Sequence, residues 1–169
     1  IRLWMVKQLY RLALGHMNIM AIFQNPNDLS YLSKLVELPD NKIKMIRGSG
    51  TNLSEYYSTK FPVGTPIILM ASRLLVDKGV REFVKSAGIL RKRGIKEKNA
   101  RFVVVGRPDM DNPHSLLPDE LSNWTKEGVV EFWGYRTDMP QIISSSYLVV
   151  LPSYYGEGLP KVLIEAASC

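Results

Sequence analysis

From Ile67 onward, short apolar runs alternate with amphipathic stretches, and that alternation limits the fold more than any other property of the chain. The runs Ile67-Ile68-Leu69-Met70-Ala71, Arg101-Phe102-Val103-Val104-Val105, Val129-Val130-Glu131-Phe132-Trp133 and Tyr147-Leu148-Val149-Val150-Leu151 are each the length of one strand. Val80 to Arg93, Pro118 to Glu127 and Met139 to Ser145 lie between them with helical periodicity. Strands that are apolar on both faces, each followed by a helix, require a parallel sheet covered on two sides. The predicted fold class is therefore α/β, a Rossmann-like parallel sheet with helices on both faces.

The chain ahead of this pattern reads as a shorter αβαβ run. Leu3 to Leu14 is a predicted helix, Ile19 to Phe23 a strand, and the helix carrying Leu29, Leu32, Leu35 and Val36 has Asn27 or Asp28 as its cap. Lys42 to Ile46 alternates as a strand and Gly48-Ser49-Gly50 is a turn. The expected organisation is an N-terminal piece over residues 1–52, a polar linker over 53–65, and a second domain over 66–169. The segment Ile1 to Leu14 bears Trp4, Tyr10 and three cations, which suits an anionic bilayer surface, but its wide apolar arc favours interior packing.

The last run, Glu157-Gly158-Leu159-Pro160-Lys161-Val162-Leu163-Ile164-Glu165, follows a strand and a tight loop. If most of it is helical, a rise of about 1.5 Å per residue sets the two glutamates ~12 Å apart. Gly158 allows close backbone approach and Pro160 fits an early helical position, where its missing N–H is not needed. Unpaired amides of a first turn face an anion, and carboxylates accept from sugar hydroxyls. The spacing thus suits an extended, polyhydroxylated, anionic ligand. A net charge of +6 agrees with an anionic partner. One cysteine excludes an intrachain disulfide, and no apolar run reaches the length that spans a bilayer. No Gly-x-Gly-x-x-Gly or Walker loop is present, and two histidines with one cysteine offer no metal-ligand cluster.

The segment from Ser153 to Ala167 resembles the Glu-x7-Glu signature of retaining GT-B glycosyltransferases of the group 1, or family-four, type. The resemblance extends to Ser72-Arg73-Leu74-Leu75-Val76-Asp77-Lys78-Gly79, similar to the family's Arg-x4-Lys-Gly loop, and to Phe23-Gln24-Asn25-Pro26 and Gly48-Ser49-Gly50. It implies the truncated C-terminal half of a GT-B fold behind a remnant of the N-terminal acceptor domain. It further implies that Glu157 holds the sugar, that Glu165 holds the ribose, and that Arg73 and Lys78, with the amides of Gly158 and Leu159 beside Pro160, meet the donor diphosphate. Gly106 and Arg107 follow the Arg101 strand, and the backbone around Tyr135 and Arg136 occupies the family's nucleobase position. No metal and no cofactor are expected; the donor, a nucleotide sugar with UDP favoured, is a substrate. Together with Asn112-Pro113 and Glu157-Gly158-Leu159-Pro160-Lys161, these motifs resemble bacterial O-antigen and capsule enzymes. A lipid-linked saccharide acceptor, a cytoplasmic location with peripheral contact to the inner membrane face, and no nucleic-acid partner are implied.

Several positions keep two readings. Arg73 contacts the diphosphate or pairs with Asp77; Arg107 faces phosphate or pairs with Asp109. Trp133 reads as core, Asp138 as a helix cap, and His114 as structural. Tyr155 stands where many relatives carry arginine, Gly156 adds a residue, and Thr51-Asn52 departs from the family's Val-Asp, so Asn52 receives no role. Both ends look cut, so these residues alone are expected to bind nucleotide weakly, to catalyse nothing, and to self-associate through an open sheet edge. The same donor cradle would also serve a GT-B epimerase or phosphorylase, or a non-catalytic nucleotide-sugar binding module.

Overall fold

The structure, a computed structural model, describes residues 2–96, 99–154 and 157–169. It divides into two compact units, Ile1–Gly50 with Glu157–Lys161, and Thr51–Gly156 with Val162–Cys169.

The first unit contains helix α1 (Arg2–Leu14), strand β1 (Ala21–Phe23), helix α2 (Pro26–Leu35) and strand β2 (Ile43–Met45). Strands β1 and β2 pair in parallel, Ala21 opposite Ile43 and Phe23 opposite Met45, with α2 as the crossover. The cap of α2 is Asn25, not Asn27 or Asp28. Its extended backbone lets Oδ1 accept from the Asp28 amide at 2.8 Å, and Pro26 follows at a position needing no N–H. The Asn25 amide also donates to the Asp28 carboxylate at 2.7 Å. Helix α1 departs from the expected interior packing: Trp4, Leu9 and Leu12 are exposed, Leu12 by 77%. Two strands of three residues each make too small a sheet to cover a wide apolar arc.

The second unit contains β3 (Ile67–Ala71), α3 (Val80–Lys92), β4 (Arg101–Val105), α4 (Pro118–Lys126), β5 (Glu131–Phe132), α5 (Met139–Ser144), β6 (Leu148–Val149) and α6 (Lys161–Ser168). The four strands form one parallel sheet in the order β5-β4-β3-β6. Residues of β3 and β4 alternate between its faces, as a pleat requires. Met70, Phe102 and Val104 pack under Val80, Phe83, Val84 and Ala87 of α3, with Leu121 and Trp124 of α4 beside them. Leu69, Val103 and Val105 pack on the other face with Ile142 and Ile143 of α5 and Val162 and Ala166 of α6. This is the expected fold class, with one helix pair on each side of the sheet.

Strands β5 and β6 are shorter than the apolar runs that predicted them. Each has a neighbour on one side only, so regular pairing survives over two residues. Single main-chain bonds extend the contact, Trp133 N–H to Val104 carbonyl at 3.0 Å and Val150 N–H to Leu69 carbonyl at 2.8 Å. Trp133 packs into the core as expected, and its indole N–H donates to Glu131 at 3.1 Å.

Candidate functional site

Parallel strands end on one edge of their sheet, so the loops that leave β3, β4 and β5 gather there. Main-chain hydrogen bonds tie these loops together. Ser72 N–H donates to Val105 carbonyl at 3.0 Å, Leu74 N–H to Arg107 carbonyl at 3.1 Å, and Gly106 N–H to Gly134 carbonyl at 2.9 Å. Gly106 has φ +147°, and a Cβ there would lie 1.9 Å from the Ser72 carbonyl oxygen. The close approach that its glycine permits is therefore loop against loop. The loop after β3 is held from a second side, because a Cβ on Gly79 would meet the Pro152 carbonyl at 2.2 Å. Ser153 Oγ and Tyr154 N–H both donate to the Asp77 carbonyl, each at 3.3 Å. The His114 carbonyl accepts from Val76 N–H at 2.9 Å, a main-chain tie between this segment and the loop after β3.

These loops and α6 enclose a cavity of about 660 Å3. Arg73, Gly106, Arg107, Tyr135, Arg136 and Glu165, six of the residues picked from the sequence, all line it. Their pairing differs from the expected one. Arg73 donates to Asp109 at 3.1 Å, not to Asp77, because the bonded loops after β3 and β4 bring Asp109 alongside it. Arg107 is then left to stack over Tyr135, its guanidinium carbon 4.9 Å from the ring centroid. Asp138 stands at the head of α5 without capping it; φ −91° and ψ 41° turn its side chain away from the helix amides. It accepts instead from Arg136 at 2.8 and 2.5 Å. That two-pronged bond lowers the Asp138 pKa and raises that of Arg136. The cavity wall thus carries three guanidinium groups, with carboxylates engaging two of them.

Glu165 is the one charged side chain buried among the described residues, at 8% exposure. It sits on α6, close enough for its charge to act on the buried phenol of Tyr56. Burial, followed by the charge of Glu165, raises the Tyr56 pKa above 10.0, so the phenol remains a donor. Tyr56 was not singled out in the sequence, where it lies in the polar stretch assigned as linker. The one signal was an aromatic pair, Tyr56-Tyr57, among polar residues.

The remaining picked residues lie elsewhere. Lys78 closes a 3-10 turn, Val76–Lys78, and is not part of the cavity wall. Glu157, Gly158, Leu159 and Pro160 precede α6 and group with the first unit, where a Cβ on Gly158 would lie 2.9 Å from Gln24 Oε1. The helix starts at Lys161. Leu159 precedes a proline, which disfavours helical backbone there and stops the helix from reaching back to Glu157. The ~12 Å separation worked from a helical rise therefore does not apply. Tyr155 and Gly156 lie outside the described residues. Among the described residues, no helix is long and apolar enough to cross a membrane.

Comparison with known proteins gives consistent matches. Residues 65–169 match the family described as "Glycosyl transferases group 1". A Campylobacter jejuni protein, N,N'-diacetylbacillosaminyl-diphospho-undecaprenol alpha-1,3-N-acetylgalactosaminyltransferase, is 31% identical over 98% of this chain and 44% of its own length. The alpha-D-kanosaminyltransferase of Streptomyces kanamyceticus is 32% identical over 59% of this chain and 25% of its own. Among solved structures, Anabaena HepE in complex with UDP matches with a TM-score of 0.72 at 18% identity, over 96% of this chain and 47% of that one. The last likeness is one of fold. The chain spans less than half the length of each of these proteins.

Proposed function

This chain belongs to the group 1 glycosyltransferases, and from that premise we propose that it forms the donor-binding part of a retaining enzyme. In this reading the donor is a nucleotide sugar, with UDP favoured, and the acceptor is a lipid-linked saccharide. The observation that carries the proposal is the cavity at the strand ends, where Arg73, Arg107, Tyr135, Arg136 and Glu165 converge. A nucleoside diphosphate needs cations for its phosphates, a flat face for its base and an acceptor for its ribose hydroxyls. Arg73 supplies the first, Tyr135 under Arg107 the second, and Glu165 the third.

The chemistry follows from charge. The bond from sugar C1 to the diphosphate oxygen breaks, and the acceptor oxygen bonds to C1 from the same face. The acceptor proton passes to the departing phosphate. Negative charge grows on the diphosphate, and fixed cations stabilise it most where they need not reorganise. Arg73 takes that role from the cavity wall; only the resemblance to the family's motifs assigns Lys78 and the amides of Gly158 and Leu159 to the diphosphate and Glu157 to the sugar, with no protein-bound metal and no cofactor. Supporting the acceptor class, the Campylobacter relative is named for a diphospho-undecaprenol substrate. Peripheral contact with the inner membrane face follows from an acceptor of that kind, and residues 1–52 form the end of the acceptor domain.

Calorimetric titration with UDP, GDP, ADP and their sugars tests the reading, on wild type and Glu165→Ala. One nucleotide should bind saturably and lose about 1–3 kcal/mol when the ribose acceptor is removed. Absence of binding by all three would refute it.

A further inference from the structure

We propose that Asp109 is a specificity-determining residue of the cavity, whose carboxylate shares Arg73 with the bound diphosphate and disfavours the spent nucleoside diphosphate relative to the intact donor. The inference rests on the donor-site reading above and adds to it an acidic residue which that reading leaves without a role.

The wall carries the cations Arg73, Arg107 and Arg136, but also the carboxylates Asp109, Asp111 and Glu165, so its formal charges cancel. A site shaped only to attract polyanions has no need of those carboxylates. Asp109 is the one bonded to the cation that the donor reading gives to the diphosphate, with Arg73 Nη1 donating to its Oδ2 at 3.1 Å. That bond occupies one edge of the guanidinium. Nε and Nη2 form a second edge, and the Arg73 side chain is 62% exposed, so a phosphate takes the second edge while the carboxylate keeps the first. One positive charge then serves two anions.

The loop keeps the carboxylate in place. Asp109 N–H donates to Ser115 Oγ at 3.0 Å, and the Asp109 carbonyl accepts from Asn112 N–H at 2.9 Å. Ser115 in turn bridges Leu75 in the loop after β3, and Leu116 N–H donates to the Leu74 carbonyl at 2.9 Å. Both main-chain groups of Asp109 are thus bonded within a turn that is itself pinned beside Arg73. A carboxylate held this way stays when an anion arrives, and its repulsion grows with the charge of that anion. The donor diphosphate is esterified at both ends and carries two negative charges. Transfer frees one end, whose further ionisation, with a pKa of about 6 for a phosphate monoester, adds a third. Two unit charges roughly 6 Å apart in a solvent-exposed setting change a binding constant about 3- to 10-fold. Asp109 acts against the product by that factor more than against the donor, so the spent nucleotide gives way to fresh donor.

The test uses Asp109→Asn, which removes the charge and keeps an oxygen for Arg73. Calorimetry at low salt and about pH 8, above the last phosphate ionisation, measures UDP, GDP and ADP. Each is used as the free diphosphate and as the ester methylated on its terminal phosphate, which has the charge of a donor and none of its sugar. For the base that binds, Asp109→Asn should tighten the free diphosphate about 3- to 10-fold more than the ester, and added salt should shrink the difference. Equal tightening of the two would overturn the inference, as would no change. Weakening of both would overturn it as well, by assigning Asp109 to holding Arg73 in place. If Asp109→Asn does not fold, Asp109→Ser carries the same expectation, and loss of the fold in both would make the carboxylate structural and sink the proposal. Wild type that binds no nucleotide refutes the donor-site reading first, a result distinct from all of these.

Discussion

Gly106→Ala should be among the most destabilising single-methyl changes in the second unit, and two other glycines provide its controls. At Gly106 two costs add. Holding alanine at φ +147° costs about 1–3 kcal/mol, and the new Cβ, 1.9 Å from the Ser72 oxygen, must displace main chain that is itself bonded to Val105. Overpacking of that sort costs another ~1–3 kcal/mol, for a total of about 2–6 kcal/mol. Gly94 ends α3 at φ +93° with nothing within 4 Å of a Cβ, so alanine there carries only the conformational cost, about 1–2 kcal/mol. Gly88 lies inside α3, where its Cβ would touch Val129 at an ordinary 3.8 Å, and alanine should stabilise by ~0.5–1 kcal/mol. Urea unfolding followed by tryptophan fluorescence measures all three, since Trp124 stacks against Phe132 and Trp133 lies in the core. The order Gly88→Ala, wild type, Gly94→Ala, Gly106→Ala is the expected result. If Gly106→Ala came within 0.5 kcal/mol or so of Gly94→Ala, about the error of comparing separate sites, the loop-on-loop contact would be refuted.

Two further predictions concern charge. Arg101 bonds Glu131 at 2.8 and 2.6 Å and lowers its pKa below 4.5, so the pair stabilises the fold above pH 4.5 and loses that contribution as pH falls through the lowered value. Glu131→Gln should therefore cost less than about 1 kcal/mol near neutral pH, since the pair is partly exposed, and urea midpoints of the two proteins should converge in acid. Arg107→Ala removes the cation over Tyr135 and should weaken nucleotide binding by about 0.5–1 kcal/mol, with unaltered binding of free pyrophosphate; calorimetry with both ligands checks this.

The fold was legible where burial on both faces dictated composition. Strands β3 and β4 occupy the residues that their apolar runs marked, and α3 ends within one residue of its expected limit. The edge strands were over-read, since apolar content reports burial and not the presence of a pairing neighbour. Five residues of the cavity wall, Arg73, Gly106, Arg107, Tyr135 and Arg136, were legible because strand-end loops were the places to look, and Glu165 was legible through its motif. Their mutual pairing was not, since Arg73 lies as close in sequence to Asp77 as it lies far from Asp109, and only the bonds between the loops decide. Pro160 carried the information that Glu157 is outside the helix, through its effect on the residue before it. Tyr56 was hidden by its polar neighbours, which described the exposure of the segment and not that of its single buried side chain.

Beneath the side-chain contacts of Arg73 with Asp109 and of Arg107 with Tyr135, the three strand-end loops are also tied through amides and carbonyls, where only the glycine at position 106 is fixed by side-chain size. Such a frame does not depend on the identity of the side chains mounted on it. Arg73, Arg107, Tyr135 and Arg136 could each be exchanged during sequence drift while the frame kept its shape. A lineage built on this scaffold can therefore change what its cavity accepts one residue at a time, without passing through unfolded intermediates. Position 106 is the exception, and a descendant that lost its glycine would have to rebuild two loops together.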